Sequence, residues 1–341
     1  PLPSDLGQLD ERAHDTISTT QGKRIATLRS ASRSASALVE LAQVFGQGKS
    51  FRDNRFLGDA RLNRLGLHAA RFALAHACVA ARRAQLAPFV DPAHRRAFDR
   101  DGFVRIDHFL APACFERALR EARSHRGEVR ECIQGDTLTH RVLLDAEARH
   151  RWPALDEVTR DPRLRRLIAY AAGSTWPPLF YVQHILNRAR HAPPDPQKHL
   201  HSDTFHPTVK AWLFLEDVPP GGGPLRYVPG SHRATLARLR WERARSLDAV
   251  SSRDSYSARG SLRLTEDDHA QLGYPPAVDF TVPANTLVIA DTHGFHARGH
   301  AEAPSSRLEL WAYVRPSPFS FVVTPPIPGP RRLQEEIQKA W

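Results

Sequence analysis

The feature that most constrains this 341-residue chain is a series of short apolar segments in its second half. Each segment is rich in β-branched or aromatic residues, and Pro, Gly or Asn separates it from the next. Short strands divided by such turn residues are typical of an antiparallel barrel or a double-sheet jelly roll. We therefore predict a mainly β core. The segments are Leu179 to Leu186, Thr208 to Leu215, Leu225 to Val228, Ala277 to Val282, Thr286 to Ala290 and Leu308 to Val314.

The region before these strands is predicted to be largely helical. Residues 1–90 are rich in Ala, Arg, Leu and Ser without strand alternation, which predicts a helical N-terminal extension. A break rich in proline and aspartate separates it from a main domain over residues 91–325, and residues 326–341 form a C-terminal tail. The charged, serine-rich stretch 237–268 is predicted as an insertion, either a lid over the barrel mouth or partly disordered. Two helices are predicted inside the main domain, over Pro112 to Arg123 and Asp161 to Ala172.

The chain is strongly basic, with 48 Lys and Arg residues against 37 Asp and Glu residues and a formal net charge of +11. Such a charge favours a phosphorylated or carboxylated substrate, an anionic membrane face or nucleic acid as partner. Nucleic acid is disfavoured because no known binding motif is present and Phe and Tyr are not interleaved with basic residues. The three cysteines form no CxxC motif, and no transmembrane stretch or secretory signal is present, so we expect a cytoplasmic protein.

A basic amphipathic helix is predicted over residues 60–86. Its stripe residues recur at helical spacing, and arginines surround them. Two roles fit this pattern. The stripe packs on the following domain while the arginines face water, or the helix associates peripherally with the inner face of an anionic membrane. The stripe positions are Leu62, Leu65, Ala69, Phe72, His76 and Val79.

A candidate metal site begins at the tripeptide His201-Ser202-Asp203. Side chains of a strand alternate between its faces, so His201 and Asp203 project to the same side and can share one ion. A later predicted strand leads to two remote histidines, His293 and His296, either of which can complete the site. Two histidines and one carboxylate on one face of an octahedron leave three positions open, as non-haem Fe(II) requires to hold a bidentate co-substrate and then dioxygen.

An arginine supplies the next element of the pattern. Arg307 follows His296 by 11 residues and opens the strand that runs to Tyr313 with alternating apolar residues. A dicarboxylate co-substrate that chelates iron at one end needs its far carboxylate held, and a guanidinium does this with two parallel hydrogen bonds. Arg307 is therefore the candidate carboxylate clamp.

These motifs together resemble the phytanoyl-CoA dioxygenase family. The resemblance covers about Phe98 to Phe321, and the ordered set is specific although no single motif is. It implies a double-stranded β-helix, a cupin-like jelly roll with flanking helices, that uses Fe(II) with 2-oxoglutarate and O2 as co-substrates. The motifs are His201-Ser202-Asp203, Ala211-Trp212, Gly221-Gly222-Gly223-Pro224-Leu225, Val228-Pro229-Gly230-Ser231-His232, His296 and Arg307, with Asp101-Gly102-Phe103-Val104 as the opening motif.

The resemblance also implies roles for individual residues. His201, Asp203 and His296 become the iron ligands, and Arg307 binds the 2-oxoglutarate carboxylate. His296 is preferred to His293 because only His296 has the 11-residue spacing to Arg307. Oxidative decarboxylation of 2-oxoglutarate to succinate and carbon dioxide then drives hydroxylation of an unactivated C–H bond. Because the aspartate is retained, hydroxylation or desaturation is favoured over halogenation.

Further residues are predicted near the co-substrate. Trp212 is expected to border the pocket. Gln183 and Asn187 either hydrogen-bond the co-substrate or substrate or are buried amides satisfied within the barrel. Two positions depart from the family pattern, with Ser202 where members often carry Gln and Arg298 where members carry Ser or Thr.

The substrate is predicted to be an anionic small molecule or lipid, acyl-CoA-like or a lipid-linked sugar acid. Arg188, Lys198 and Arg298 place positive charge beside the site, although each alone is also explained as part of a solvated basic face. The alternative function is a non-catalytic jelly-roll protein that binds a metal or a ligand without turnover.

Overall fold

The computed structural model describes residues 37–124 and 129–323. Residues 1–36 of the predicted extension and the predicted tail at 326–341 lie outside the described residues. In chain order the strands are β1 (Phe103–Ile106), β2 (Arg130–Gln134), β3 (Thr137–Leu143), β4 (Leu179–Asn187), β5 (Val209–Phe214), β6 (Leu225–Tyr227), β7 (Val278–Asp279), β8 (Thr286–Asp291), β9 (His296–Arg298) and β10 (Ser305–Val314).

The strands form two antiparallel sheets. The larger sheet has the order β1-β8-β5-β10-β4-β3-β2, and the smaller has the order β7-β6-β9. Neighbours in these sheets are mostly far apart in the chain, as with β10, which lies between β4 and β5. The predicted mainly β jelly-roll core with flanking helices is confirmed.

Helices flank the sheets. None of the described helices is both long enough and apolar enough to cross a bilayer. From residue 60 onwards, the α-helices in chain order are α1 (Ala60–Arg64), α2 (Leu67–Leu86), α3 (Pro92–Asp101), α4 (Pro112–Arg123), α5 (Ala146–Arg151), α6 (Pro153–Arg160), α7 (Pro162–Ala172), α8 (Leu236–Asp248), α9 (Ser255–Ala258) and α10 (Glu266–Leu272).

Side-chain alternation gives the larger sheet two different faces. On β10, Leu308, Leu310 and Ala312 are buried in one cluster with apolar residues of α7. Arg307 and Trp311 alternate with them and line a cavity on the opposite face. Residues of β9 line the same cavity, so the space between the two sheets is where polar chemistry can be placed.

The basic amphipathic helix packs on the protein. In α2, Phe72, Cys78 and Val79 are buried. Arg82 donates from Nε to the carbonyl oxygen of Gly173, at the end of α7, over 2.6 Å. Phe72 and Val79 of the predicted stripe thus pack on the domain, but Leu65 is exposed, and Arg71 and Arg82 are buried and do not face water as predicted. Membrane association stays a prediction.

Residues 46–52, which we call the N-terminal strap, lie across the insertion. The amide nitrogens of Phe51 and Arg52 donate to the carbonyl oxygen of Ala258 over 3.0 and 2.9 Å. At Gly260 (φ +80°) a Cβ atom would lie only 2.1 Å from the carbonyl oxygen of Lys49. Glycine is therefore required at this position for both its backbone conformation and its close contact.

The insertion predicted over 237–268 contains α8, α9 and the start of α10. Arg238 is fully buried, and its Nη2 lies 2.9 Å from Oε1 of Glu242. The other oxygen of Glu242 lies 2.8 Å from Nε2 of His68, which belongs to α2. At the far end of the insertion, Leu262 accepts a hydrogen bond from the amide of Ser202. The segment is thus bonded both to α2 and to the metal motif, and its role as a lid stays a prediction.

One hairpin was not predicted. Strands β2 and β3 pair from Arg130↔Arg141 to Gln134↔Thr137 around a two-residue turn, Gly135-Asp136. Gly135 has φ +54°, in the left-handed region that such turns need. The hairpin extends the larger sheet beyond β4 and adds one wall to the cavity.

Candidate active site

His201, Asp203 and His296 come together between the two sheets. Their candidate ligand atoms all lie within 4.8 Å of one another. Oδ1 of Asp203 is 3.8 Å from Nε2 of His201 and 3.7 Å from Nε2 of His296. The two histidines also exchange backbone hydrogen bonds of 3.0 Å in both directions. Antiparallel pairing of the backbone therefore fixes the separation of the two imidazoles.

Both imidazoles are oriented by backbone carbonyl groups. Nδ1 of His201 lies 2.8 Å from the oxygen of His199, and Nδ1 of His296 lies 3.0 Å from the oxygen of Gly294. A carbonyl oxygen only accepts, so Nδ1 carries the proton and the lone pair of Nε2 faces Asp203. Burial lowers the pKa of His201 well below its usual value and, although Asp203 opposes it, lowers the pKa of His296 to about 4. Both rings are neutral at pH 7, the form that binds a metal.

The two oxygens of Asp203 have different neighbours. Oδ1 faces the histidines, while Oδ2 lies 2.7 Å from Nζ of Lys210. Burial acts to raise the pKa of Asp203, but Lys210 and the two imidazoles outweigh it and hold the pKa well below its ordinary value. The carboxylate is therefore ionised, with one oxygen open to a metal. Two neutral imidazoles and one carboxylate are a donor set that fits Fe(II).

Arg307 is buried in the wall of the same cavity. Its Nη1 donates to the carbonyl oxygen of Gly223 over 2.7 Å, and its Nε lies 2.8 Å from Oε2 of Glu309. Within the described residues, Nη2 makes no hydrogen bond. A guanidinium fixed on two sides with N–H groups remaining fits the far carboxylate of 2-oxoglutarate.

Gln183 belongs to a row of polar side chains across three strands. Arg141 on β3 donates from Nε to Oε1 of Gln183 over 2.6 Å, and Gln183 donates from Nε2 to Oε1 of Glu309 over 2.5 Å. The strand register sets this row, because each residue lies directly opposite the next. Gln183 lines the cavity, yet both ends of its amide have protein partners. This arrangement favours the buried-amide alternative.

The cavity in front of the metal ligands has a volume of about 380 Å³. Small-molecule sites typically range from about 300 to 1,000 Å³. Asp203 is the only carboxylate among the described residues that line it, against six cationic side chains. Trp212, Trp311 and Tyr313 add an aromatic wall. The cations are Lys49, Arg141, Lys210, Arg298, Arg307 and Arg315.

Two further predicted residues line the cavity. Trp212 lies directly opposite Trp311 in the pairing of β5 with β10. Arg298 donates from Nη1 to Oδ2 of the buried Asp195 over 2.5 Å. Its charge is therefore matched by a protein carboxylate before any substrate arrives.

Three other predicted residues lie outside the cavity lining. Nδ2 of Asn187 donates to Oγ of Ser305 over 3.1 Å. Lys198 is buried, with Nζ 2.6 Å from Oδ2 of Asp136. Arg188 is exposed. The geometry therefore gives Asn187 and Lys198 contacts within the protein and leaves Arg188 on a solvated face.

His293, the alternative distal ligand, lies apart from Asp203. Its Nδ1 is 2.8 Å from the carbonyl oxygen of Thr204, and its ring centroid is 4.5 Å from that of His76 on α2. The structure thus brings His296, and not His293, into the group of candidate ligands.

Four cationic residues of the cavity were not predicted from the sequence. Lys210 lies two positions before Trp212 on a predicted strand. Arg315 directly follows β10 and continues the alternation that begins at Arg307, so the two-residue period of a strand could have indicated both residues. Arg141 belongs to the hairpin that was not predicted. Lys49 offered no signal, because it lies in the N-terminal strap, far from any strand in the sequence.

Comparison with solved structures finds matches at low identity. The 2-oxoglutarate-dependent epimerase SnoN from nogalamycin biosynthesis is 21% identical, with a TM-score of 0.46 over 65% of this chain and 83% of that chain. The carbocyclase SnoK from the same biosynthesis is 21% identical, with a TM-score of 0.41 over 66% and 83%. HygX from Streptomyces hygroscopicus, with nickel and 2-oxoglutarate bound, is 18% identical, with a TM-score of 0.40 over 66% and 86%. These activities belong to the other proteins and are not transferred to this chain.

Sequence comparison identifies the family. No curated protein matches the chain at a significant level. The family model for phytanoyl-CoA dioxygenase (PhyH) matches residues 98–272, about half of the chain, and spans the tripeptide that contains His201 and Asp203. The predicted resemblance and enzyme class are confirmed. The chain therefore belongs to the phytanoyl-CoA dioxygenase family of 2-oxoglutarate-dependent non-haem iron enzymes.

Proposed function

We propose that this protein is an Fe(II)- and 2-oxoglutarate-dependent dioxygenase that hydroxylates an unactivated C–H bond of a small molecule. The observation that carries the proposal is the convergence of His201, Asp203 and His296 on the wall of a cavity that also contains Arg307. The three candidate ligands lie on one side of the expected metal position, and the cavity lies on the other side. This arrangement supports a metal with open positions that face bound small molecules.

Each residue has a defined task in this reaction. His201 and His296 hold the metal through neutral Nε2 atoms, and Asp203 contributes one negative charge through Oδ1. Arg307 fixes the far carboxylate of the co-substrate, so that its other end reaches the metal. Fe(II) and 2-oxoglutarate, when bound, would activate dioxygen as the oxidant: one oxygen atom would enter succinate as 2-oxoglutarate loses carbon dioxide, and the other would enter the substrate C–H bond as a hydroxyl group. Trp212 excludes water from the space beside them.

Anaerobic titration with Fe(II) and 2-oxoglutarate tests the proposal. We expect the weak visible charge-transfer band of the chelate, followed by succinate formation when air is admitted. Arg307→Gln should raise the 2-oxoglutarate concentration for half-saturation of the band by about tenfold or more, because charge-assisted hydrogen bonds are lost. Arg188→Gln is the matched control, since this arginine is exposed and lies outside the cavity lining.

Two results would contradict the proposal. Metal-loaded protein that never forms the band would rule out the chelate. If the band forms but no succinate is released, either without substrate or with any of a panel of candidate substrates, the protein is the alternative, a non-catalytic binding protein.

The substrate is proposed to be anionic, because cationic side chains outnumber carboxylates in the cavity. Of the three residues first predicted to carry this charge, Arg298 lines the cavity, whereas Arg188 and Lys198 lie outside the lining. A lipid-linked substrate at the inner face of a membrane stays a prediction that rests on the basic helix. Co-sedimentation with anionic liposomes checks it, and protein that stays in the supernatant would contradict it.

A further inference from the structure

We propose that the N-terminal strap completes the substrate site, where Lys49 and Arg315 bind an oxyanion, a carboxylate or a phosphate, on a substrate with an aromatic or other apolar body. The inference rests on the proposed function, because it assigns this end of the cavity to the substrate and Arg307 to the co-substrate. Lys49 lies outside residues 98–272, which match the family model.

The strap places Lys49 beside the metal ligands. Nζ of Lys49 donates to the carbonyl oxygen of Asp203 over 2.5 Å, and the side chain lines the cavity. An ammonium group has three N–H donors, so this contact leaves others for a ligand. The strap is held in place by the buried Arg71, whose Nη2 donates to the carbonyl oxygen of Gly48 over 2.7 Å and whose guanidinium lies 4.0 Å from the ring of Phe205.

Arg315 is joined to the strap by two reciprocal hydrogen bonds. Its Nη2 donates to the carbonyl oxygen of Gln47 over 2.7 Å, and Nε2 of Gln47 donates back to the carbonyl oxygen of Arg315 over 3.0 Å. Both hydrogen bonds are made with neutral groups of Gln47, so they do not compensate the positive charge of Arg315. Arg315 lies eight residues beyond Arg307 on the cavity side of the β10 alternation, which separates the two arginines by roughly 26 Å of extended chain. The cavity therefore has cationic groups at both ends of one strand.

The charges around the cavity leave an excess of positive charge. Carboxylates pair with three of the six cations: Asp195 with Arg298, Glu309 with Arg307 and Asp203 with Lys210. Among the described residues, Lys49, Arg141 and Arg315 have no carboxylate within ion-pair distance. Fe(II) and the two carboxylates of 2-oxoglutarate cancel each other in formal charge, so the excess persists in the loaded site. An anionic substrate compensates it.

Aromatic rings line the space between the two cationic ends. The rings of Trp311 and Tyr313 are stacked, with centroids 5.9 Å apart and an interplanar angle of 12°. Tyr181 lies 5.3 Å from Trp311, and the guanidinium of Arg141 lies 4.8 Å from the same ring. A flat or ring-shaped apolar body fits against this wall, with its charged group towards Lys49 and Arg315.

A matched set of probes tests the inference. Phenylacetate, phenyl phosphate and the neutral phenylacetamide are titrated calorimetrically into anaerobic protein saturated with Fe(II) and 2-oxoglutarate. We expect at least one anion to bind about tenfold or more tightly than phenylacetamide, and the tighter of the two identifies the oxyanion. The double variant Lys49→Gln/Arg315→Gln should lose this preference, whereas Lys49→Arg should keep it. Arg52→Gln, an exposed position on the same strap, should leave it unchanged.

Equal binding of the anions and the amide, or an undiminished preference in the double variant, overturns the inference. The chelate band separates this outcome from failure of the proposed function. If the function is correct, the band forms in the wild type and in every strap variant. If the band is absent even in the wild type, the proposed function fails, and the same titration without 2-oxoglutarate still measures the strap site. Thermal unfolding of each variant verifies that the strap substitutions leave the protein folded.

Discussion

Two pairs of buried histidines are oriented alike in this protein, and only one pair belongs to the candidate metal site. His201 and His296 each face a backbone carbonyl through Nδ1, at 2.8 and 3.0 Å. His206 and His293 do the same, at 3.1 and 2.8 Å. The first pair has Oδ1 of Asp203 within 3.8 Å of its Nε2 atoms, whereas the Nε2 atoms of the second pair have no hydrogen-bond partner among the described residues.

The comparison shows that burial and orientation alone do not make a ligand. Burial lowers the pKa of His206 and of His293 well below the usual value, as it does for His201, so the rings in both pairs are neutral. What distinguishes the first pair is a carboxylate that is ionised and held on its far side by Lys210. The ring of His293 instead packs against α2, with Phe72 at 5.3 Å.

Removal of the carboxylate should give the largest difference between the pairs. Asp203→Ala is expected to weaken Fe(II) binding by more than about 100-fold and to abolish succinate formation, because it removes a ligand and not an outer partner. His293→Ala should lower the thermal unfolding temperature through lost packing while leaving metal affinity nearly unchanged. Calorimetric titration with Fe(II) under anaerobic conditions measures both. If His293→Ala lost metal binding at a temperature where the variant is folded, the distinction between the two histidine pairs would be wrong.

Substitution of the lysine behind the carboxylate should have an intermediate effect. Lys210→Met is expected to weaken metal affinity by about 10- to 100-fold, because Oδ2 of Asp203 loses the contact that keeps Oδ1 directed towards the histidines. Lys198→Met is the control, since this lysine is also buried in an ion pair but lies outside the cavity. If the control weakened metal binding as much as Lys210→Met, general destabilisation would explain both.

Acidification should give the smallest effect, a gradual decrease in the free energy of unfolding as the pH falls. The pKa of His293 is lowered in the folded protein by burial and by the neighbouring Arg238 and His76, so below about pH 6.5 the unfolded chain binds a proton that the folded protein does not. The free energy of unfolding should therefore fall by about 1.4 kcal/mol per pH unit for each such histidine. For His232, whose pKa burial lowers to about 3, the loss continues down to that pH.

Urea unfolding at pH 7, 6 and 5 measures this slope. His293→Gln should reduce it by the contribution of one histidine relative to the unsubstituted protein. An unchanged slope in that variant would show that His293 titrates alike in the folded and unfolded states.

The strongly patterned parts of the fold were predictable from sequence. Helix α4 has the predicted bounds, Pro112–Arg123, and β4 extends one residue beyond the predicted strand, to Asn187. The metal motif was accessible from the two-residue spacing of His201 and Asp203, although the tripeptide lies outside the strands and His201 forms only isolated β-bridges. In contrast, β7 is limited to Val278–Asp279, since only a short, exposed segment pairs with β6.

Contacts between segments that are distant in the chain could not be predicted from the sequence in the same way. The hairpin of β2 and β3 has polar strands, and its only strong signal was the turn Gly135-Asp136. Lys49 and Asp203 are 154 residues apart, and the contact between them depends on how the strap crosses the insertion. Ion pairs could not be predicted either, because the sequence around Lys198 does not indicate that Asp136 is its partner.

The close approach at Gly260 has a practical consequence for work on this protein. The strap and the insertion are in close contact there. A shortened version that begins at residue 98, the first residue of the family match, would keep the three candidate metal ligands and lose one side of the cavity. Such a truncation would also remove α2, whose Phe72 and Val79 are buried, so the domain would lose packing as well as the side of the cavity that Lys49 lines. A shortened version that keeps this cavity should therefore include both the strap and α2.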